Sequence, residues 1–277
     1  MKISAHLVVK NEENFIWYSI MSVINYVDEI LVWDTGSTDN TLNIVNQIKS
    51  PKVILKKVEI DEFHEDSVRQ QMLDQTDADW FIVLDADEVW WNDSIKFVTD
   101  TIRKQGANLD SIVVPTINMV GDMLHYQEKS AGRYHLAGRI GHYGLRAINR
   151  KIPGLYGVGE HGVFMWADKD NNKIEDRDKN KIKFIDAPYI HVTHLKRSEN
   201  IISNIEVYKR NIKLKYEVGN ELPFDYFYPE VFFKSRPDIV RSPWERMSIV
   251  YRLKSIIVTP LKKFRRRYLM KEVKHGY

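Results

Sequence analysis

The sequence contains no cysteine among its 277 residues. Disulfide bonds, thiolate nucleophiles and cysteine-ligated zinc or iron–sulfur sites are therefore excluded. It also lacks any run approaching the roughly 20 apolar residues that a membrane-spanning helix needs. The first residues lack the apolar stretch and small-residue cleavage site of a secretion signal. We therefore expect a cytoplasmic protein.

The whole chain has a small net charge of +3, but the charged residues are unevenly distributed. Residues 241–277 hold 11 Lys or Arg and two Glu, a net +9, whereas the remaining residues hold 30 basic and 36 acidic side chains, a net −6. A cationic end on an acidic body is common in proteins that meet anionic lipid or nucleic acid. Nucleic acid is the less favoured partner, because the body is acidic and no recognition motif occurs.

Apolar segments and helical patterns alternate through the first hundred residues. Short apolar runs predict strands over 3–9, 29–33, 53–55 and 80–84, and helical spacing predicts helices over 15–26, 40–49 and 65–76. Strands that are apolar on both faces and alternate with helices indicate an α/β protein with a parallel sheet covered on both sides.

The second half of the chain has a different pattern. We predict strands over 111–116 and 185–195, an exposed charged hairpin or insertion over 167–183, and an amphipathic helix over 198–217. Four prolines follow, and from residue 244 the pattern predicts one or two helices with their apolar residues on one side.

Three polar clusters follow predicted strands: residues 10–13, 34–41 and 85–88. Ligands of open parallel sheets bind outside the carboxyl ends of the strands, so these clusters are expected at one edge of the sheet. Asp85 and Asp87 would repel each other unless a cation lies near them, and Mg²⁺ or Mn²⁺ suits their oxygen ligands. The alternative is that they only begin a helix, where acids are favoured.

The segment from Asp34 to Thr41 is a glycine-containing turn between a strand and a helix. Asp34 can accept a hydrogen bond from a nucleobase, and the amides of the turn can meet phosphate or ribose. An ordinary turn capped by Thr38 or Asp39 is the alternative. The turn is neither G-x-G-x-x-G nor a Walker loop, which argues against hydride transfer and P-loop chemistry.

Together these segments resemble the family 2 glycosyltransferases of the GT-A fold. The resemblance depends on residues 8–13 (VVKNEE), 33–41 (WDTGSTDNT), Arg69 and 80–88 (WFIVLDADE), in the order and spacing of that family. Residues 145–150, 157–161 and 191–194 resemble later blocks of its lipopolysaccharide-core glucosyltransferase branch. In this sequence Glu160 precedes His161, the reverse of the order in that branch.

The resemblance implies a fold and a division of the chain. The fold is α/β, a GT-A (Rossmann-like) mixed, mainly parallel sheet with helices on both faces and a helical, basic C-terminal tail. Residues 1–225 would form the transferase domain, with a nucleotide-sugar-binding half (1–110) and an acceptor-binding half (111–225). Residues 226–277 would form a proline-containing linker and the tail.

It also implies the site residues. The donor nucleotide would contact Val9, Asn11, Glu12, Asp34, Gly36, Arg69 and Asp85; Mg²⁺ or Mn²⁺ would be held by Asp85, Asp87 and one of His191 and His194; and Asp87 and Glu160 would be the catalytic residues, with Asp122 and Glu88 as other candidates for the general base. His191 and His194 are three apart on a strand, so they lie on opposite faces and only one is expected to reach the site.

Some of these residues have structural alternatives. Glu160 could form only a salt bridge with Arg146 or Arg139. Trp90 and Trp91 could stack on sugar rings, but core packing is the favoured interpretation. Asp87→Ala is expected to abolish metal-dependent donor turnover with little loss of folding stability.

The implied activity is inverting, metal-dependent transfer of a sugar from a nucleotide-diphosphate donor to a glycan or lipid-linked acceptor, in surface polysaccharide or lipopolysaccharide assembly. Other activities left open are a polyprenyl-phosphate glycosyltransferase and a sugar-phosphate nucleotidyltransferase. A non-enzymatic alternative is a lipid- or nucleic-acid-binding module that uses the basic tail. The tail would attach the cytoplasmic protein to the anionic inner face of the membrane.

Overall fold

The computed structural model describes residues 1–59, 65–159, 164–199, 207, 210 and 215–269. Within these ranges the chain forms five α-helices: α1 (Ile16–Val23), α2 (Thr41–Gln47), α3 (Glu65–Gln75), α4 (Asn92–Gln105) and α5 (Ile249–Phe264). A π-helical turn, Arg265–Leu269, continues α5. No helix in the described part of the chain is both long and apolar enough to cross a bilayer.

The strands are β1 (Ile3–Val9), β2 (Glu29–Asp34), β3 (Val53–Lys57), β4 (Trp80–Val83), β5 (Glu88–Trp90), β6 (Ser111–Val120), β7 (Asp122–Tyr126), β8 (Tyr134–Leu136), β9 (Arg139–Gly141), β10 (Tyr143–Asn149), β11 (Tyr156–Val158), β12 (Met165–Ala167), β13 (Ile182–Phe184), β14 (Tyr189–His194) and β15 (Asn220–Glu221). The main sheet has the order β15-β7-β6-β10-β4-β1-β2-β3. β13 and β14 pair with β6, and β5 pairs with β14.

The predicted mixed sheet is confirmed. The pairs β1–β2, β1–β4 and β2–β3 are parallel, whereas β10 runs antiparallel to both β4 and β6. In parallel strands the carboxyl ends lie at one edge, and the register pairs Val9 with Asp34 at the ends of β1 and β2. The segments that follow β1, β2 and β4 therefore leave the sheet side by side.

Helices cover both faces of this sheet, as the sequence predicts. Ile30 and Val32 of β2 point into the main core with α1, α2 and α4, whereas Leu31 and Trp33 pack on the other face against α3. This alternation along β2 explains why the strand is apolar throughout. Helix α4 was not predicted, although its buried residues have helical spacing.

The charged segment 167–183 is largely exposed, as predicted, and Ala167 and Lys173 form an antiparallel bridge across its first turn. Asp168 is only 1% exposed, and its Oδ1 accepts hydrogen bonds from the amides of Asp170 and Asn172, both at 3.0 Å. Arg177 bonds to Asp110 and to Asp168, so the loop is attached to the end of the sheet. The predicted helix over 198–217 lies mostly outside the described residues.

The chain after residue 225 packs on the body before it forms α5. Val231 and Phe232 lie in the main core, and Tyr18 donates a 2.6 Å hydrogen bond to the carbonyl of Arg241. The boundary between 225 and 226 stays a prediction.

Candidate active site

Asn11 fixes the loop that follows β2. It has a φ of 57°, a conformation that asparagine tolerates better than most residues. Its Oδ1 accepts hydrogen bonds from the amides of Thr38 (2.7 Å) and Asp39 (3.3 Å), and its own amide donates to Oγ of Ser37 (2.9 Å). Asn11 is completely buried, so it shapes this loop from beneath.

Asp34 stabilises the same loop from the end of β2. Its Oδ2 accepts hydrogen bonds from the amides of Gly36 and Ser37, both at 3.1 Å, and the residue is buried. Gly36 has a φ of +96°, which side chains other than glycine rarely adopt, although the space around it is open. The carbonyl of Val9 accepts from the amide of Thr35 at 2.9 Å. The predicted residues Val9, Asn11, Asp34 and Gly36 thus belong to one assembled loop pair.

Asp85, at the end of β4, is held by two guanidinium groups. Oδ1 lies 3.4 Å from Nη2 of Arg69 on α3, and Oδ2 lies 3.5 Å from Nη2 of Arg146 on β10. Burial acts to raise the pKa of Asp85, but the attraction of Arg146 and Arg69 outweighs it and holds that pKa below its usual range. Arg69 and Asp85, which are both predicted to contact the donor nucleotide, are therefore in direct contact with each other.

Glu88 lies beneath Asp85 and is completely buried. Its carboxylate forms a salt bridge with Arg146, whose Nε donates a 2.9 Å hydrogen bond to the hydroxyl of Tyr189. Since Glu88 has no exposed surface and is bonded to a cation, its geometry suits a structural role rather than proton transfer from an acceptor.

Asp87 and Glu12 share one buried arginine that the sequence did not reveal. Nη1 of Arg197 lies 2.8 Å from Oδ2 of Asp87 and 3.1 Å from Oε1 of Glu12. Arg197 therefore links the loop after β1 to the loop after β4. Arg210 also bonds to Glu12, and it donates to the carbonyls of Asn11 and Lys10. A weak signal existed, because two buried acids at neighbouring strand ends require buried cations.

His191 is the histidine that reaches Asp87. Its Nε2 lies 3.4 Å from Oδ2 of Asp87. His194, three residues further on β14, is buried where β14 pairs with Val120 of β6. A β-bulge between His191 and His194 interrupts the strict alternation of the strand, so the prediction that they lie on opposite faces stays a prediction.

A chain of hydrogen bonds orients the ring of His191. The carbonyl of Glu128 can only accept, so Nε2 of His142, 3.1 Å away, carries the proton and Nδ1 accepts from Asn118 Nδ2 at 2.9 Å. Asn118 Oδ1 then accepts from Nδ1 of His191 at 3.2 Å. With Nδ1 directed at Asn118, Nε2 of His191 is directed at Asp87, 3.4 Å away. An imidazole nitrogen and a carboxylate oxygen placed in this way can act together as ligands of one metal ion.

This pair fits a divalent cation that is bound jointly with a diphosphate. Within the described ranges no three His, Asp or Glu side chains converge as a complete metal site. Mg²⁺ and related ions are, however, commonly held by one or two carboxylates together with substrate phosphates. The donor set of Asp87 and His191 suits that arrangement.

The other candidate residues have structural partners or lie outside the described ranges. Asp122 is buried and accepts from His125 (2.6 Å) and from the amide of Met247 (3.2 Å). Trp90 is completely buried and stacks on Tyr189 at 4.9 Å between ring centroids. Trp91 Nε1 donates to the carbonyl of Phe227 at 2.9 Å, so both tryptophans are packing residues. Glu160 lies outside the described residues.

Comparison with known proteins identifies the family of the chain. The family model "Glycosyl transferase family 2" matches residues 4–169, so the chain belongs to glycosyl transferase family 2. An uncharacterized glycosyltransferase of Rickettsia felis is 39% identical over 87 residues, which are 31% of this chain and 29% of that protein. A TPR repeat-containing protein of Synechococcus elongatus is 33% identical over 87 residues, 31% of this chain and 21% of that protein.

Among solved structures, TarS of S. aureus (residues 1–349) in complex with UDP-GlcNAc superposes with a TM-score of 0.50 at 17% identity. The alignment covers 73% of this chain and 61% of the TarS chain. The fold is the GT-A fold that the sequence predicts. The matched region covers less than a third of the length of each of these two curated relatives.

Proposed function

We propose that the protein is an inverting, metal-dependent glycosyltransferase that moves a sugar from a nucleotide-diphosphate donor to an acceptor hydroxyl. The observation that carries the proposal is the convergence of three strand ends. Asp34 is the last residue of β2, Glu12 follows β1, and Asp85 and Asp87 follow β4, while Arg197 joins Glu12 to Asp87. Family membership and the UDP-GlcNAc complex of TarS support a nucleotide-sugar donor.

The charges at this edge suit a leaving diphosphate. Breaking the bond between the sugar and the diphosphate leaves negative charge that preplaced cations stabilise. Arg69 on α3, Arg146 on β10 and Arg197 in the segment after β14 contact the two aspartates. Mg²⁺ or Mn²⁺, held by Asp87 and His191, would add Lewis-acid stabilisation of that diphosphate. Asp85 would contact the ribose or the metal.

The acceptor hydroxyl must lose its proton to a general base when it attacks the anomeric carbon from the opposite face. Glu160 is the proposed base. Asp122 and Glu88 are less suited, because their carboxylates are buried in the hydrogen bonds described above. Attack from the face opposite the leaving group inverts the anomeric configuration.

The acceptor that we propose is a glycan or lipid-linked sugar of surface polysaccharide or lipopolysaccharide assembly, reached from the cytoplasmic side of the membrane. A polyprenyl-phosphate acceptor is the second candidate, and the exposed apolar helix described below favours either lipid-linked form. A sugar-phosphate nucleotidyltransferase is not favoured, because the segment after β1 presents Glu12 rather than a basic phosphate loop.

A thermal-shift screen of nucleotide sugars with and without Mn²⁺ tests the proposal. Binding to the native state raises the apparent melting temperature, and we expect at least one donor to do so more strongly with Mn²⁺ present. Asp87→Asn should remove the Mn²⁺-dependent part, whereas Asp100→Asn, on the exposed side of α4, should not. Equal shifts with and without Mn²⁺ for every donor would contradict the metal assignment, and no shift at all would contradict the donor site.

A further inference from the structure

Helix α5 packs on the protein through its polar side. Ser255 and Thr259 are buried, and the Thr259 hydroxyl accepts a 2.8 Å hydrogen bond from the amide of Val218. The Tyr251 hydroxyl donates to the carbonyl of Lys215. These three residues are four apart, so they form one stripe along the helix.

The opposite side of α5 is apolar and turned away from the protein. Six large apolar side chains there are between 54% and 79% exposed: Ile249, Val250, Leu253, Ile256, Ile257 and Leu261. A surface helix of a globular protein normally buries its apolar stripe and exposes its polar one. In α5 the orientation is reversed, and a contiguous apolar patch of this kind usually marks an interaction surface.

Cations border this patch on both sides. At 100° per residue, the six apolar residues fall within an arc of about 140°. Arg252 and Lys263 lie beyond one edge of the arc, and Lys254 and Arg265 lie beyond the other. All four are exposed. In the described part of the chain, no carboxylate is paired with Arg252, Lys254 or Arg265.

We propose that α5 docks the protein on an anionic lipid bilayer, lying in the plane of the interface with its apolar side in the acyl region. Interfacial helices have this combination of an apolar face and flanking Lys and Arg, and each cation near an anionic surface adds to the attraction. A second copy of the chain fits less well, because a two-fold contact would bring the same rows of cations together. Charge complementarity therefore selects the anionic lipid.

The docking helix is connected to the candidate active site by a series of side-chain contacts. Beyond α5, Arg266 bonds to Glu128 (3.3 Å) and to Glu217, which is 1% exposed. The carbonyl of Glu128 is the start of the hydrogen-bonded chain that ends at His191. If the proposed transfer to a lipid-linked acceptor is correct, docking would hold the site beside the surface that carries that acceptor.

Sedimentation with lipid vesicles tests the docking without any catalytic assay. The full chain is mixed with vesicles of phosphatidylcholine alone or with 50% phosphatidylglycerol. We expect at least tenfold stronger partitioning to the anionic vesicles, weakened by added salt. The double variant Leu253→Gln/Ile257→Gln should bind the anionic vesicles at least tenfold more weakly than the parent. Phe97→Gln, which changes an exposed apolar residue of α4, should bind like the parent.

A charge pair of variants separates electrostatic attraction from apolar insertion. Arg265→Glu should reduce binding to anionic vesicles by about tenfold, and Lys104→Glu, the same charge change at an exposed site of α4, should reduce it much less. Equal binding by the parent and by Leu253→Gln/Ile257→Gln would overturn the proposal. The proposal would also be overturned if the parent were a dimer, the double variant a monomer, and both bound the vesicles equally. The helix would then contact a second copy of the chain.

Discussion

Arg197 donates a 2.8 Å hydrogen bond to the carboxylate of Asp87, although 110 residues separate them in the chain. Both side chains are almost completely buried. Burial acts to lower the pKa of Arg197, but Glu12 and Asp87 outweigh it and hold that pKa above its usual range. Asp87 therefore contributes to the stability of the fold and also belongs to the candidate site.

Asp87→Ala is expected to destabilise the protein by about 3–5 kcal/mol, since it leaves a buried guanidinium short of one counter-charge. This replaces the expectation from sequence that the change costs little stability. Urea unfolding measures the loss, and donor turnover is expected to disappear in the folded fraction. Asp100→Ala, on an exposed i,i+4 pair with Lys96, should change stability by less than about 0.5 kcal/mol. An Asp87→Ala variant as stable as the parent would contradict the buried pair.

Asn118→Leu is expected to weaken Mn²⁺ binding by about ten- to a hundredfold, the usual effect of losing a residue that orients a metal ligand. The reason is that His191 Nδ1 would lose its acceptor and the ring its fixed orientation. Electron paramagnetic resonance titration of Mn²⁺ in the presence of UDP provides the measurement. Asn108→Leu, at an exposed position, is the matched control. Unchanged Mn²⁺ affinity in Asn118→Leu would exclude His191 as a ligand oriented by this network.

Lowering the pH is expected to destabilise the protein through His6. Burial, with help from Arg69 and Arg150, lowers the pKa of His6 to about 3 from an ordinary value of 6.5. The unfolded chain therefore binds a proton first, and stability is lost as the pH falls from about 6.5 towards 3, at up to about 1.4 kcal/mol per pH unit.

His6→Phe should abolish that contribution, because phenylalanine keeps the stacking on Phe81 but cannot titrate. Between pH 7 and pH 5 the parent is expected to lose about 2 kcal/mol more unfolding free energy than the variant. Urea unfolding at several pH values gives both curves. Parallel curves for the two proteins would show that His6 does not titrate on unfolding.

Arg266→Ala is expected to loosen α5, because Glu217 would keep a buried carboxylate without this guanidinium. At present the pKa of Glu217 lies below its usual range: burial acts to raise it, and the hydrogen bonds and charge of Arg266 outweigh burial. Hydrogen exchange of residues 249–264 should become at least tenfold faster. The neighbouring Arg265→Ala, which removes an exposed side chain, should leave exchange in α5 nearly unchanged. Equal effects of the two variants would contradict the anchoring role.

The local sequence pattern predicts only those candidate site residues that directly follow an apolar strand. Asp34, Asp85 and Asp87 were identified because each follows an apolar strand, and parallel strands place their carboxyl ends together. Arg197 and Arg210 were missed because the acids that they neutralise lie more than 100 residues away in sequence. The residues next to either arginine in the sequence do not indicate which distant acid it contacts.

The orientation of α5 shows the same limit. Its apolar positions predicted a helix with one apolar side, which is confirmed. The side that packs on the protein is set by Ser255 and Thr259, whose small side chains allow close approach. It is also set by the hydrogen bond that Thr259 accepts from the amide of Val218. Those contacts involve segments distant in sequence, so periodicity alone could not provide them.

The link from Arg197 to Glu12 and Asp87 has a consequence for dividing the gene. A fragment that stops at residue 169, where the family match ends, would contain every acidic group at the three strand ends but neither Arg197 nor Arg210. Such a fragment would have to fold with two buried carboxylates deprived of these counter-charges. Residues 1–169 are therefore not expected to fold as an autonomous module, and expression trials should retain at least the first 210 residues.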